Sequence, residues 1–318
     1  MRIFLLLAFT CFSSGLLLAQ QEQMYTQFMY NKLSYNPGSA GNFESPTLTV
    51  VDRHQWLGFE GAPSVQVLSY TQPILNGRVG LGGTLAHQSI GITRAITLEG
   101  SYAYRIPFKR GHLGMGVQVS LRHFAQNWSD KSIEAAQVGD PLIPAFSEQN
   151  KFLPNFGFGL FYTGYKWFAG IAVPRLLSNK ITFAAAAKAN AREVKHLNAM
   201  AGVTFELTDD LDITPQILVR YVKGAPLDAD VNGTLCYKNK FYGGLTYRMG
   251  GSGFGESADV LLGLQANKKI FVGLSYDLSL SRLRTQQAGS IELAMRWWFN
   301  PPEGVVGVTP KKTPKPLF

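Results

Sequence analysis

The chain has 318 residues, a net charge of +9 and 16% charged side chains, well under the usual quarter of a soluble domain. Its basic residues are spread over strands, turns and tail without a readable motif, which excludes a nucleic-acid-binding module and nucleic acid as a partner. Past the first twenty residues no stretch stays apolar for the roughly 18 residues of a membrane helix, so any membrane crossing falls to strands.

Residues 1–19 read as a signal peptide. Met1-Arg2 is a charged start, Ile3 to Leu18 an apolar run, and Ala19 the small residue before a cut ahead of Gln20. Cys11 leaves with it, and Phe9-Thr10 before it do not form a lipoprotein cleavage box. Cys236 is then the one thiol of the mature chain, so no internal disulfide forms. It reads as a small packed strand residue.

Residues 20–45 are a leading segment, too polar for lipid and too aromatic for a free tail. From 46 to 300 the chain breaks into about fourteen alternating apolar/polar segments, the even count of a closed bacterial barrel. They fall near 47–56, 64–72, 79–88, 95–106, 112–123, 155–163, 166–174, 195–206, 211–221, 229–238, 241–249, 257–266, 269–277 and 289–299. The links alternate between short and long. Gly164-Tyr165, Asn239-Lys240 and Asn267-Lys268 read as two-residue hairpin turns. Phe124 to Pro154, Arg175 to Val194 and Leu278 to Ala288 are long. Tight turns on the periplasmic rim and longer loops outside are the rhythm of a transmembrane barrel.

Within the segments, Ile96, Leu98, Tyr102, Tyr104 and Ile106 share one face, opposite Thr97, Glu99, Ser101 and Arg105. Leu113, Met115, Val117, Val119 and Leu121 oppose Gln118, Ser120 and Arg122. Ile291, Leu293, Met295, Trp297 and Phe299 oppose Glu292 and Arg296. A sheet in lipid has to close on itself to satisfy its backbone groups. The apolar face then meets lipid and the polar face the lumen. A soluble sandwich gives the same period of two. Against it stand the low charge, the secretion signal, and aromatics at segment ends in the manner of an interfacial girdle (Tyr102, Tyr104, Tyr247, Tyr276, Trp297, Phe299). The expected fold is therefore all-β: a transmembrane antiparallel β-barrel of about fourteen strands, preceded by a plug-like N-terminal segment. Residues 301–318 form a basic, Pro-rich periplasmic tail that is either a solvated end or a docking peptide.

Two blocks carry a family likeness. The run Gln23 to Gly41 resembles the N-terminal signature of the PorP/SprF family, roughly F-S-Q-Y-M-x-N-x-L-x-Y-N-P-A-Y-A-G, with Gln27, Met29, Asn31, Leu33, Tyr35, Asn36, Pro37, Ala40 and Gly41 in register. Thr26 replaces the usual Ser, and Gly38-Ser39 replaces Ala-Tyr. Arg53-His54-Gln55-Trp56-Leu57-Gly58-Phe59-Glu60-Gly61-Ala62-Pro63 is similar to the family's R-x-Q-W-x-G-F-x-G-A-P. Weaker echoes run through Tyr102 to Ile106, Pro154 to Gly159, Gly243 to Arg248 and Ser275 to Asp277. The resemblance implies a non-enzymatic outer-membrane component of the type IX secretion system of Bacteroidetes, also tied to gliding motility. It implies as partners, besides outer-membrane lipid, the system's periplasmic lipoproteins, a peptidoglycan-binding lipoprotein, and a large secreted surface adhesin. Core apparatus member and dedicated partner of one adhesin remain open.

From the residues, Tyr25, Phe28, Tyr30 and Tyr35 are expected to stack on the lumen wall, with Gln27, Asn31 and Asn36 bonding wall groups. The segment is then a plug or an ordered lead-in at the rim. Glu99, Arg105, Arg122, Asp212, Arg220, Arg248, Asp277, Glu292 and Arg296 fall on the lumen face. They form either a paired network that closes the pore or a selectivity surface for an anionic solute. In the first outer link, Leu57 to Pro63, with Gln55 beneath it, Arg53 and Trp56 are either interface anchors or a lumen ion-pair member and a girdle residue. The long link Phe124 to Pro154, with Trp128, Asp130, Lys131 and Glu134, is the largest candidate surface for an exported partner. The five histidines are scattered and no nucleophile elbow or zinc spacing occurs. Neither an enzyme nor a cofactor or metal site is expected, and an outer-membrane solute channel is the competing reading.

Overall fold

A computed structural model describes residues 24–128, 148–181, 192–250 and 255–300. The signal peptide, the tail, and Asp130, Lys131 and Glu134 lie outside the described residues. The strands are β1 (Thr47–His54), β2 (Ser64–Ile74), β3 (Val79–Ile90), β4 (Thr93–Phe108), β5 (Gly111–Asn127), β6 (Glu148–Gly164), β7 (Trp167–Val173) and β8 (His196–Val203). After them come β9 (Phe205–Glu206), β10 (Leu211–Val222), β11 (Asp228–Tyr237), β12 (Phe241–Met249), β13 (Gly255–Asn267), β14 (Ile270–Ser279) and β15 (Ser290–Trp298). Short β9 continues β8 past Thr204, and both pair with β10. Counting them as one stave gives fourteen, antiparallel throughout. The sheet closes because β15 pairs with β1 and β10 with β11.

The alternation dictates which face goes where. In β4, Thr97, Glu99, Ser101, Ala103 and Arg105 are buried while Ile96, Leu98, Tyr102 and Tyr104 are exposed. In β15, Glu292, Ala294 and Arg296 are buried while Ile291, Leu293, Met295 and Trp297 are exposed. Leu98 is 60% exposed while Arg296 is 1% exposed. This inverts a soluble protein, which rarely leaves apolar patches beyond a few hundred Å² uncovered. Only lipid suits such an outer face, so the soluble sandwich is excluded. Aromatics gather at both ends of the outer band. Trp297 stacks on Phe299 (ring centroids 5.4 Å apart) and Tyr162 on Trp167 (4.5 Å) near one rim. Tyr247 and Tyr276 stand near the other.

The two rims differ. The start of β1 and the end of β15, joined by the bond from Phe299 N to Pro46 O (3.0 Å), lie at the rim of short turns. There Lys238 and Asn239 have φ of 53° and 51°, the type I′ pair that matches strand twist. All three predicted two-residue turns shift by one residue: Gly164 and Asn267 still pair, with Gly111 and Ile270, so Tyr165-Lys166 and Lys268-Lys269 make two of the turns, and Lys238-Asn239 rather than Asn239-Lys240 makes the third. At the opposite rim the long link is shorter than predicted. The ladder between β5 and β6 runs on from Phe124↔Lys151 to Asn127↔Glu148, so the two strands stand closer in sequence than predicted. The predicted first strand also ends early, at His54, because Trp56 turns the chain with a φ of 53°.

Candidate functional site

Inside the barrel lies the leading segment. Three short 3₁₀ turns, Phe28–Tyr30, Lys32–Ser34 and Pro37–Ser39, carry it from the long-link half of the lumen to the short-turn rim. Asn36 builds the last turn: its Oδ1 accepts from Gly38 N (2.8 Å), and Pro37 presets the first helical residue. The same side chain reaches the wall, Nδ2 donating to Leu160 O (2.9 Å). Gln27 Nε2 donates to Glu292 O (3.0 Å), Asn198 Nδ2 to Tyr35 O (3.2 Å), and Gly41 N to Thr71 Oγ1 (2.6 Å). Tyr30 packs on Phe271 at 4.5 Å, and Tyr25 meets Tyr35 edge-on at 5.8 Å.

The wall is shaped to receive this backbone. A Cβ on Gly38 would stand 2.8 Å from Gly114 O and 2.9 Å from Gly159 O. Conversely, a Cβ on Gly116 would collide with Pro37 and Gly38, one on Gly80 with Ala40, one on Gly159 with Asn36, and one on Gly273 with Gln27. Glycine here serves close backbone approach.

Beneath the long-link rim an ionic network grips the start of the segment. Arg53 is paired with Asp277 (2.6 Å) and Glu292 (3.1 Å). The Glu292 carboxylate also accepts from the backbone of Thr26 and Gln27, each at 2.8 Å. The Thr26 hydroxyl donates to Asp277 (2.8 Å) and accepts from Arg53 Nη1 (2.9 Å). Asp230 bridges Arg220 and Arg248, both at 2.9 Å, and Arg220 also meets Asp228 at 3.0 Å. A second cluster joins Arg122 to Glu193 (3.2 Å) and Arg175 to Glu99 (3.3 Å). Charges this deeply buried persist because they are paired and hydrogen-bonded.

All nine predicted lumen charges point inward, but they do not form one network. Arg220, Arg248, Asp277 and Glu292 come together with Arg53; Glu99 and Arg122 sit in the second cluster. Arg105, Asp212 and Arg296 lie apart in the short-turn half. Arg105 meets His112 (2.7 Å), which in turn meets Asn42 (2.9 Å). Arg296 is wrapped by aromatic rings, its guanidinium 4.6 Å from the centre of Phe43 and 5.4 Å from Trp298. Asp230, Arg175, Glu193 and Thr26 were missed from sequence. Asp230 was findable, since it shares its face with Asn232 and Thr234; Arg175 and Glu193 lie in a link, where no period applies.

Arg53 is buried and paired in the lumen, not offered at the surface. The rest of its motif forms the first long-rim link. Gln55 N donates to Pro63 O (2.9 Å) and Phe59 N to Trp56 O (3.1 Å). Gly58 and Gly61 supply positive φ of 85° and 70°. Leu57 ties the link to the last loop, its N donating to Gly289 O (2.8 Å) and its O accepting from Ala288 N (2.8 Å). Trp56 meets Phe59 edge-on at 6.4 Å, and Phe59 is exposed.

The short-turn half holds a cavity of about 160 Å³ between segment and wall. It is bounded by Tyr30, Asn31, Lys32, Phe43, Tyr242 and Arg296, and reaches the rim at Tyr165 to Trp167. Lys32 Nζ sits 3.6 Å from the centre of the Phe168 ring. Burial, and after it the Arg296 charge, pushes the Lys32 ammonium down to about 7. No group of His, Cys, Asp and Glu suited to a metal ion occurs among the described residues.

A closed antiparallel barrel with an apolar girdled exterior and a buried polar interior defines an outer-membrane β-barrel protein. The family described as type IX secretion system membrane protein PorP/SprF matches residues 17–297, and the chain belongs to it. No curated protein matches the chain. Among solved structures, the Ralstonia pickettii toluene transporter TbuX is similar over 87% of this chain and 94% of that one, with TM-score 0.51 and 10% identity. The monoaromatic hydrocarbon channel CymD covers 88% of this chain and 94% of its own, with TM-score 0.49 and 12% identity. Acinetobacter baumannii Omp33 covers 81% and 100%, with TM-score 0.48 and 8% identity. At such identities the likeness to TbuX speaks for the fold alone.

Proposed function

We propose that this protein is a non-enzymatic outer-membrane component of a type IX secretion and gliding apparatus, and that it supports export or surface attachment of secreted adhesins. On this reading its N-terminal segment is a plug, and the barrel acts through its surfaces rather than as a pore. The observation that supports the reading is the grip of Glu292, Asp277 and Arg53 on Thr26 and Gln27 at the start of that segment. The guanidiniums of that network face carboxylates, so they are not offered to a passing anionic solute.

In the outer membrane the short-turn rim faces the periplasm. There it would meet the periplasmic lipoproteins of the system or a peptidoglycan-binding lipoprotein, with the basic tail as a docking peptide. The long-link rim would face the exported adhesin, presenting Trp56, Phe59 and the loop after β5. Secretion would begin with cleavage ahead of Gln20.

Gene deletion in the host, with surface and secreted proteomes compared to wild type, tests the proposal. Loss of most cargo of the system identifies a core component, and loss of one large adhesin identifies its dedicated partner. An unchanged proteome sinks the proposal and favours a solute channel.

A further inference from the structure

We infer that the cavity in the short-turn half of the lumen is a binding site for a carboxylate carried on a ring-sized apolar group, with Arg296 as its anchor. The inference begins with an imbalance. Arg296 is 1% exposed, yet it has no carboxylate partner among the described residues. One of its nitrogens donates to Tyr30 O; its Nε and Nη1 have no hydrogen-bond partner. A buried guanidinium is stabilised when its charge is matched and its donors are used. The rings of Phe43, Tyr30 and Trp298 offset part of the charge, but an aromatic face accepts no in-plane N–H. The guanidiniums of the ionic network, Arg53, Arg220 and Arg248, all meet carboxylates.

The neighbouring groups have the same polarity. Tyr30 Oη and Asn31 Nδ2, each on a residue no more than 3% exposed, also border the cavity without a partner. Lys32 adds an amino group 3.6 Å from the centre of the Phe168 ring. Among the described residues no Asp or Glu lines the cavity. Hydrogen-bond donors and positive charge thus converge on one cavity, and an oxyanion is the complement they lack.

Shape decides what carries the anion. The apolar part of the wall comes from Phe43, Trp167, Phe168 and Tyr242. The volume of about 160 Å³ matches the roughly 150 Å³ cavity that accepts a benzene molecule. A benzoate-sized group fits, its carboxylate on Arg296, Tyr30 and Asn31 and its ring among the aromatics. The same chemistry comes from a free aromatic acid or from a polypeptide ending in an aromatic residue with a free carboxylate. Either enters from the periplasmic rim.

The test is calorimetric titration of the full-length protein in detergent micelles with benzoate and with benzamide, its neutral counterpart. Benzoate is expected to bind saturably, at least about tenfold more tightly than benzamide, as a charge-assisted contact implies. Arg296→Met should abolish the preference, Arg296→Lys should restore part of it, and Tyr30→Phe should weaken benzoate by about three- to tenfold through one lost donor. Heat-modifiable gel migration verifies that each variant remains a folded barrel. A second titration uses a pentapeptide ending in Phe as free acid and as amide. Preference for the acid, with benzoate silent, assigns the site to polypeptide ends; benzoate binding assigns it to free acids. Equal binding of each charged ligand and its neutral counterpart overturns the inference. So does the absence of any binding up to about 10 mM, or undiminished benzoate binding by folded Arg296→Met. Should Arg296→Met fail to fold, Tyr30→Phe and the neutral ligands decide.

Discussion

Arg53 balances the charge of the carboxylates that hold the leading segment. It neutralises Asp277 and Glu292 while donating to the Thr26 hydroxyl. Arg53→Met would leave two buried carboxylates short of their cation, which costs about 3–5 kcal/mol. The urea midpoint of the heat-modifiable band in detergent should fall accordingly, and an unchanged midpoint would show that the pairing carries little. Thr26→Val keeps the volume but removes one hydroxyl bonded to both charges, so a smaller loss of about 1–3 kcal/mol is expected in the same assay. At this scale sequence reading had mixed success. Parity placed nine charges on the lumen face, because a strand leaves only two directions for a side chain. Parity says nothing of depth along the barrel, so Arg105, Asp212 and Arg296 were grouped with a network they do not reach. It is equally silent on links, which hid Arg175 and Glu193.

The leading segment is the element whose fold depends most on other elements. Its 3₁₀ turns are too short to stand alone, and its seat is written in glycines of β3, β5, β6 and β14. Exchange of one such glycine should therefore act on the segment and not on the barrel. Gly116→Val drives a side chain into Pro37 and Gly38, whereas Gly100, with nothing within 4 Å of a built Cβ, tolerates Ala. Limited proteolysis should cut the segment in Gly116→Val and spare it in Gly100→Ala, both barrels remaining heat-modifiable. Equal protection in both would contradict the packing. The sequence told that the segment is neither lipid-facing nor a free tail. Its route was illegible, because each contact joins residues tens to hundreds of positions apart and no local period records them. Asn36 was legible in part: it was expected to bond a wall group, and its Nδ2 donates to Leu160 O (2.9 Å).

For the whole molecule, fourteen staves, antiparallel closure and the contrast of the two rims followed from alternation and link length. Strand ends did not, since β5 runs four residues and β6 seven past their predicted limits at the long-link rim while lipid-facing alternation fades there. What the barrel does with its interior decides between scaffold and channel. Conductance of the purified protein in planar lipid bilayers measures this most directly. Wild type should give no stable open steps, while Gly116→Val, with its segment displaced, should give steps of a wide pore. Stable steps from wild type, equal to those of the variant, would contradict a lumen closed by its own N-terminal segment and return the protein to the channels.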